Sequence, residues 1–234
     1  MNYRRSFQYL LHSIPQVSQI FESQNSYFYA ALAAHCSQMG PVTAALTTQA
    51  LVYEFRPRVV VMTGICGGID SKIQLGDLII ADRSWDWQSG KWNADGEFEA
   101  APDQFSATPG LLQAAQAESA SLPELRSLFR GPAPKEVNLI PGPMVSGSAV
   151  VARASMHEMF KRQHRKALAV DMECFGVYSA CNSVTSAKPA VVCLKSVSDL
   201  ANRDKGDDYQ PFGSYISAKF AERMLDRFFQ DLKY

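Results

Sequence analysis

The sequence predicts a single α/β domain with a mixed central β-sheet that is flanked by helices on both faces. Three observations lead to this fold class. Apolar runs of strand length alternate with helical apolar periodicity along almost the whole chain, the chain has 234 residues, and 47% of them are hydrophobic. Such alternation is typical of a parallel or mixed sheet covered by helices, and this length suits one large domain.

The N-terminal half alternates helices with short strands. Apolar residues recur at helical spacing over residues 42–55, and Pro57 ends this helix before a β-branched strand at residues 59–61. A glycine-containing turn is predicted directly after that strand, at residues 64–68, and the next strand at residues 78–81. The turn either offers backbone N–H groups to an anion or a sugar, or uses glycine only to allow a tight bend.

The middle and C-terminal parts continue the alternation. Residues 83–109 contain three tryptophans among scattered Gly, Asp and Asn, so we predict a long irregular excursion of the kind that covers a site. Pro109 suits the first turn of a helix that falters at Pro123. The same two periodicities predict helices at 3–21, 152–163, 174–183 and 214–229, and strands at 27–33, 137–140, 167–170 and 190–194.

Charge and cysteine content exclude several classes of protein. Lys plus Arg and Asp plus Glu both total 23, so no net field attracts nucleic acid or an anionic membrane. The five cysteines are odd in number and lack CxxC spacing, which argues against a disulfide framework and a zinc site. No apolar run reaches the roughly 20 residues of a membrane helix. We expect a cytoplasmic protein without a metal that binds neither nucleic acid nor membrane.

Two acidic motifs follow strand-like runs and lie one βα step apart. They are Asp171-Met172-Glu173 and Ser198-Asp199. A carboxylate at the end of a buried strand is costly to desolvate, so it persists mainly where something offsets that cost. A carboxylate can accept hydrogen bonds from two neighbouring hydroxyls, and an Asp in a partly dry pocket can hold a proton near neutral pH and donate it. Helix-terminal charge and Asp capping are structural alternatives that stay open at this point.

Four motifs stand in the order found in the nucleoside phosphorylase and nucleosidase superfamily. This superfamily includes purine nucleoside phosphorylases, uridine phosphorylases and methylthioadenosine/S-adenosylhomocysteine nucleosidases, and the chain resembles it from about residue 38 to the C-terminus. The resemblance implies a nucleoside phosphorylase-like fold. The motifs are Gly64-Ile65-Cys66-Gly67-Gly68 with Gly76-Asp77-Leu78-Ile79, then Val145-Ser146-Gly147-Ser148-Ala149, then Val170-Asp171-Met172-Glu173, then Ser196-Val197-Ser198-Asp199.

The resemblance also implies a role for each candidate residue. Asp199 would protonate a purine base as it leaves, Glu173 would hold the ribose hydroxyls, and Met172 would pack against the sugar. Lys195 and Arg203 would oppose proton retention by Asp199 if they pointed inward. The other implied residues are Val150, Val151 and Ser198 at the base, Gly64, Cys66 and Gly67 at the pocket for water or phosphate, and Asp171 and Ser146 as supporting groups.

The chain departs from the family's pattern in three places. Its first forty residues show neither a strand carrying a glutamate for water nor a glycine-and-arginine phosphate loop. Asp171 stands where glutamate is more usual, and Ile65 with Cys66 replaces small or hydroxyl residues. We therefore divide the chain into an atypical N-terminal segment, residues 1–40, packed on a nucleoside phosphorylase/nucleosidase-like domain, residues 41–234.

The resemblance implies an enzyme that cleaves the N-glycosidic bond of a purine nucleoside or related compound by hydrolysis and needs no cofactor. One alternative is a purine nucleoside phosphorylase with inorganic phosphate as co-substrate, and another is a catalytically weak nucleoside- or nucleotide-binding sensor domain. Residues 205–210 resemble a version of the fold found in larger bacterial proteins with signalling or defence modules. If this segment faces the pocket, Lys205 or Arg203 would meet a nucleotide phosphate, and a solvated loop is the structural alternative. The family further implies a homo-oligomer, either a dimer or a hexamer.

Overall fold

Strands and helices alternate along the chain as the apolar periodicity predicts. The computed structural model describes residues 17–22, 30–185, 187–202 and 206–231. The strands are β1 (Val17–Glu22), β2 (Ala30–Ala34), β3 (Val59–Gly68), β4 (Leu78–Asp86), β5 (Gly90–Trp92), β6 (Phe98–Ala100), β7 (Gln104–Ser106), β8 (Leu139–Ser146), β9 (Ala169–Asp171) and β10 (Ala190–Asp199). The helices are α1 (Pro41–Phe55), α2 (Pro109–Glu118), α3 (Leu122–Leu128), α4 (Ser155–Gln163), α5 (Cys174–Asn182) and α6 (Gln210–Asp231), with a 3-10 turn (Ser119–Ser121) between α2 and α3.

A six-stranded mixed sheet in the order β10-β3-β9-β8-β4-β7 forms the centre of the domain. The β10–β3, β8–β9 and β4–β8 pairs are parallel, whereas β3–β9 and β4–β7 are antiparallel. Strand β10 also pairs antiparallel with β4, so five of the strands close into a ring. Helices α5 and α6 pack on this sheet, and α1 packs on α5. The predicted fold class is confirmed.

The core lies between the sheet and its helices. Leu78, Ile79 and Ile80 of β4 are fully buried. On α6 the buried residues recur every fourth position, from Phe212 through Ile216 to Phe220, which is the stripe expected of a helix lying on a sheet. A smaller apolar cluster joins the ends of β4, β8 and β9 to α4. This second cluster supports the strand ends that carry the acidic motifs.

Strand β3 corrects the prediction of a turn at residues 64–68. The strand does not end before Gly64 but runs to Gly68, and Gly67 and Gly68 pair with Val170 and Ala169 of β9. Hydrogen bonding to two neighbouring strands therefore overrides the local tendency of glycine to bend the chain. Gly64 and Gly67 lie inside the sheet and do not form an exposed loop.

Three other strands extend further than predicted. Strand β4 continues to Asp86, and β10 continues to Asp199, because long pairings with β8 and β3 sustain them. Strand β8 begins at Leu139 and runs through Pro141 and Pro143, where the sequence predicted a break. The register between β8 and β4 shifts after Ala81, beside these prolines, as expected where ladder donors are missing.

The N-terminal segment contains a small hairpin. Strand β1 pairs antiparallel with β2, so the predicted helix at residues 3–21 is wrong from Val17 onward. Val17 and Ile20 are β-branched and favour the extended backbone once a partner strand is present. The predicted strand at residues 27–33 is confirmed from Ala30, and residues 3–16 and 27–29 lie outside the described residues. The division at residue 40 stays a prediction.

The tryptophan-containing excursion is partly ordered into strands. Trp85 belongs to β4 and is fully buried, whereas Trp92 on the β5–β6 hairpin is 72% exposed and stacks on Phe98. Helix α1 exposes the apolar residues Val42, Leu46 and Tyr53, and the homo-oligomer stays a prediction. In the part of the chain that the structure describes, no helix combines the length and apolarity needed to cross a membrane.

Candidate functional site

The acidic motifs meet at one edge of the sheet. Ser146 ends β8 and Asp171 ends β9, and these two residues are directly paired across the parallel strands. Asp199 ends β10 and pairs with Gly67 of β3, which in turn pairs with Val170. Asp171 and Asp199 therefore belong to the two strands that flank the end of β3, with β9 antiparallel to β3 and β10 parallel to it.

Asp171 is buried in a network that ties β8, β9 and α5 together. The Ser146 hydroxyl donates to Asp171 Oδ1 at 2.6 Å, and the Cys174 N–H donates to Asp171 Oδ2 at 2.9 Å. Ser146 Oγ also accepts from the Phe175 N–H at 2.9 Å and lies 3.1 Å from Ser84 Oγ. The carboxylate thus binds an N–H group at the positive end of α5. Asp171 and Ser146 order the start of α5, directly after Glu173.

Lys195 lies inside this acidic cluster. Its ammonium is 2.9 Å from Glu173 Oε2 and 3.2 Å from Asp171 Oδ2, and its side chain is 4% exposed. Burial works against the charged form, but the combined attraction of Asp171 and Glu173 outweighs it, so the pKa of Lys195 is raised well above its ordinary value. The ammonium is charged across the physiological pH range.

The sequence analysis did not assign Lys195 to the cluster formed by Asp171 and Glu173. The signal was present, because Lys195 stands in the apolar run of β10 and a lysine buried in a strand needs a carboxylate partner. Nothing in the sequence says which carboxylate that is, and the structure places the ammonium on Glu173 and Asp171. Arg203 lies outside the described residues.

Glu173 is held from two sides. Its Oε2 binds Lys195, and its Oε1 accepts from the Gly40 N–H at 3.3 Å. Gly176 makes this approach of α1 possible, because a Cβ atom there would lie 2.1 Å from the Pro41 carbonyl oxygen. These two contacts fix the Glu173 side chain, and 16% of its surface remains exposed, so it is still accessible. The adjacent Met172 is half-buried.

Asp199 is fixed by its own local turn. The Ala201 N–H donates to Asp199 Oδ1 at 2.8 Å, and the Ser198 hydroxyl lies 3.3 Å from Asp199 Oδ2. Ala201 has a φ of 49°, a left-handed conformation that alanine adopts at some cost, and its carbonyl lies 3.1 Å from His157 Nε2. The strained Ala201 therefore holds the carboxyl group of Asp199, a buried residue, against Gly67 of β3.

Gly67 provides the space for Asp199, which leads to a testable prediction. A Cβ atom at Gly67 would lie 2.9 Å from Ala201 Cβ and 3.1 Å from Asp199 Oδ1. Gly67→Ala should displace the Asp199 turn and lower turnover roughly tenfold to a hundredfold, with a stability loss of about 1–3 kcal/mol from overpacking. Steady-state kinetics and thermal unfolding measure the two effects.

Gly110→Ala is the matched control for that change. Gly110 lies in α2, and a Cβ atom there would make only an ordinary contact, 3.4 Å from Phe228 Cε2. Turnover should be unchanged, and stability should stay the same or rise slightly because alanine favours helix. If Gly67→Ala keeps the wild-type turnover, Asp199 does not depend on close packing against β3.

The remaining predicted site residues differ in their burial and in their hydrogen bonding. The Cys66 thiol is buried, 3.8 Å from the Lys195 carbonyl oxygen, and burial raises its pKa well above the ordinary value. The Gly64 N–H donates to Ser217 Oγ of α6 at 3.1 Å, so it is not an open anion ligand. Val150 is 54% exposed, whereas Val151 is buried in the smaller apolar cluster. The structure thus gives the two valine side chains different surroundings.

Two surface cavities lie away from this edge of the sheet. One of about 500 Å³ adjoins α2, α3 and α6, and its lining includes Tyr215 and Arg223. The other, of about 380 Å³, adjoins the end of α4 and includes Arg83 and His164. Neither is lined by a predicted site residue. Within the described residues, no group of three or more His, Cys, Asp or Glu side chains is arranged to hold a metal ion.

The family model described as Phosphorylase superfamily matches residues 26–230. The uncharacterized protein y4jS of Sinorhizobium fredii is 38% identical over 197 residues, which cover 81% of this chain and 48% of that protein. The ATP nucleosidase Cap17 of Escherichia coli is 26% identical over 204 residues, 80% of this chain and 39% of the relative. The chain therefore spans about half the length, or less, of these two relatives.

A third relative is closer to this chain in length. The 5′-methylthioadenosine/S-adenosylhomocysteine nucleosidase of Staphylococcus aureus is 27% identical over 176 residues, 75% of this chain and 72% of that enzyme. Among solved structures, the Helicobacter pylori nucleosidase with 5′-methylthioadenosine in its active site has a TM-score of 0.70 at 19% identity, covering 95% of this chain and 94% of the other. The Neisseria meningitidis nucleosidase in complex with methylthio-immucillin-A has a TM-score of 0.65 at 19% identity, with the same coverage. These structures show a shared fold.

Proposed function

The chain belongs to the phosphorylase superfamily, and on that premise we propose that it is a nucleosidase that hydrolyses the N-glycosidic bond of a purine nucleoside or a related compound. The observation that carries the proposal is the position of two carboxyl groups at the ends of β9 and β10, the strands on either side of β3. Glu173 follows β9 and is held by Lys195 and Gly40, and Asp199 ends β10 and is held by Ala201. Strand β3 lies between β9 and β10.

The proposed chemistry uses the two groups at opposite ends of the substrate. Glu173 accepts hydrogen bonds from the two ribose hydroxyls, and Met172 offers an apolar surface to the sugar ring. Asp199 donates a proton to the purine as the bond from the base nitrogen to the anomeric carbon breaks and its electron pair moves to the base. Water bonds to the anomeric carbon and releases a proton to solvent, Asp199 takes up a proton from solvent after the base has left, and the products are free base and free sugar. The charge of Glu173 stabilises the positive character that the sugar acquires.

Adenine compounds are the proposed substrates. The E. coli relative and a death domain-containing relative from Amphimedon queenslandica, 27% identical over 202 residues, are named ATP nucleosidases, and the S. aureus relative is named for methylthioadenosine and S-adenosylhomocysteine. These named compounds share adenine and ribose and differ at the 5′ carbon. A nucleotide is therefore the second candidate substrate, and it is favoured by the two ATP nucleosidase names.

A substrate panel tests this function. The purified chain is incubated with methylthioadenosine, S-adenosylhomocysteine, adenosine, ATP, inosine and uridine, with and without inorganic phosphate, and free base and sugar are quantified by chromatography. We expect adenine and an unphosphorylated anomeric carbon, at a rate that phosphate does not change. Treatment with a chelator should leave the rate unchanged, since we propose that no cofactor is needed.

Other results would contradict the proposal in different ways. Phosphate-dependent release with a sugar 1-phosphate as product would identify a phosphorylase. Binding of adenosine without release of base from any compound would identify a sensor domain. Release from uridine at the rate seen with adenosine would remove the purine preference and, with it, the role of Asp199 as proton donor to a purine.

A further inference from the structure

We propose that Lys195 is a positioning residue, which holds Glu173 negatively charged and aimed at the ribose by neutralising the pair formed by Glu173 and Asp171. This inference rests on the proposed function of Glu173. It assigns to the buried lysine a task that differs from binding substrate, because the ammonium acts through a carboxylate that in turn touches the sugar.

The contacts of the ammonium are shared between two carboxylates. Lys195 Nζ lies 2.9 Å from Glu173 Oε2 and 3.2 Å from Asp171 Oδ2. Asp171 Oδ1 is bound by Ser146, and Glu173 Oε1 by the Gly40 N–H. One oxygen of each carboxylate thus faces the lysine, and the other faces a fixed donor. Rotation of Glu173 away from this position would break both of its contacts.

The charge balance explains why the lysine is required. Asp171 is 5% exposed, and Glu173 has little exposure, so solvent screens their mutual repulsion poorly. Two carboxylates in one desolvated site favour sharing a proton, unless a cation lies between them. A protonated Glu173 would lose part of its capacity to accept hydrogen bonds from two hydroxyls. The Lys195 ammonium, 3.2 Å from Asp171 Oδ2 and 2.9 Å from Glu173 Oε2, offsets this repulsion.

No thiolate adds to the negative charge around Lys195. The titratable neighbours are Cys66 on β3, Cys193 and Asp199 on β10, Cys174 on α5 and Cys36 before α1. Burial is the largest influence on Cys36, Cys66 and Cys174 and raises the pKa of each thiol, so these groups are neutral at physiological pH. Asp171 and Glu173 are the carboxylates that act most strongly on the Lys195 ammonium, whereas Asp199 acts on the Cys66 thiol.

Gly64 shows that the backbone leaves room for this lysine. A Cβ atom at Gly64 would lie 3.4 Å from Lys195 Nζ and 3.5 Å from its Cδ, so the end of the side chain runs along the glycine. The aliphatic part of the Lys195 side chain is thereby confined between β3 and the carboxylates. Its ammonium is already fixed, so Lys195 loses little further rotamer freedom when a substrate binds. A confined ammonium suits a positioning role.

The test compares pH profiles of variants. Lys195→Met should move the acid limb of kcat/KM upward by about one to three pH units, because Glu173 and Asp171 then compete for a proton. At pH 6 the loss should be larger than at pH 8. Lys195→Arg should keep a limb near that of the wild type. Asp171→Asn combined with Lys195→Met should return the limb toward the wild-type position, since the second negative charge is gone.

A readout independent of turnover separates this inference from the proposed function. In Lys195→Met the folded state holds extra protons on the carboxylates, so its stability should fall as the pH rises from 5 to 8, more steeply than that of the wild type. Thermal unfolding across this range measures the effect. Adenosine binding, followed by calorimetry, should weaken for Lys195→Met in the same pH-dependent way. Lys219→Met, which breaks only an exposed pair with Glu222, is the matched control and should change neither profile.

The outcomes are distinct. If the wild type releases no base but binds adenosine, the proposed reaction fails, and the binding and unfolding profiles still decide the role of Lys195. If Lys195→Met keeps the wild-type acid limb and the wild-type pH dependence of unfolding, the inference is overturned. Equal impairment of Lys195→Arg and Lys195→Met at every pH would also overturn it, because it would show that the lysine only fills space.

Discussion

Asp199→Asn is expected to lower turnover of purine substrates by roughly a hundredfold or more, in the range typical of a lost general acid. Asparagine has the same shape and can still accept from the Ala201 N–H, which lies 2.8 Å from Asp199 Oδ1. It has no carboxylic proton to give to the base. The fold should therefore persist while the leaving group goes unprotonated, and the rate of adenine release measures the loss.

A substrate with a better leaving group provides the internal control for this change. The p-nitrophenolate group of a p-nitrophenyl riboside leaves without being protonated. Asp199→Asn should therefore cleave this substrate nearly as fast as the wild type does. Asp95→Asn, at an exposed turn where the carboxylate accepts from the Glu97 N–H, is the matched surface variant and should leave turnover unchanged. Wild-type turnover of purine nucleosides by Asp199→Asn would remove this residue from the mechanism.

Glu173→Gln is expected to lower kcat/KM by roughly a hundredfold to a thousandfold. Hydrogen bonds to a charged acceptor contribute about 1.5–3 kcal/mol each, and two ribose hydroxyls would lose that acceptor. Glutamine also removes the anion that lies 2.9 Å from Lys195 Nζ, so the ammonium would keep only Asp171 as a charged partner. Steady-state kinetics with adenosine or methylthioadenosine measure the loss.

The sugar itself supplies the control for Glu173. In the wild type, 2′,3′-dideoxyadenosine should bind more weakly than adenosine, because it lacks the hydroxyls that Glu173 is proposed to bind. In Glu173→Gln the difference between the two substrates should nearly vanish. If both enzymes discriminate equally, the hydroxyls are bound elsewhere. Glu222→Gln on the exposed face of α6 is the matched variant and should keep full discrimination.

Much of the fold follows from local patterns. The helices at α1, α5 and α6 and the strands that precede the acidic motifs were predictable, because periodicity reports which face of an element is buried. The extent of β3 and β8 was not, since glycine and proline end a strand in isolation and neighbouring strands hold them extended in the sheet. Val17 was predicted to lie in a helix because its extended backbone depends on pairing with β2, and local periodicity does not report that pairing.

The sequence by itself determined the alternation of the main strands and helices outside the N-terminal hairpin and the tryptophan-containing excursion, the position of Asp171 and Asp199 at strand ends and of Glu173 directly after β9, and the resemblance to a superfamily. Only the tertiary structure decided that Lys195 joins Glu173 to Asp171, that the Gly40 N–H reaches Glu173, and that Ala201 fixes Asp199 above Gly67. The contact between Gly40 and Glu173 spans 133 positions of the chain. Periodicity carries information about neighbours along one element, whereas electrostatic and hydrogen-bond energies depend on distances that only packing between elements sets.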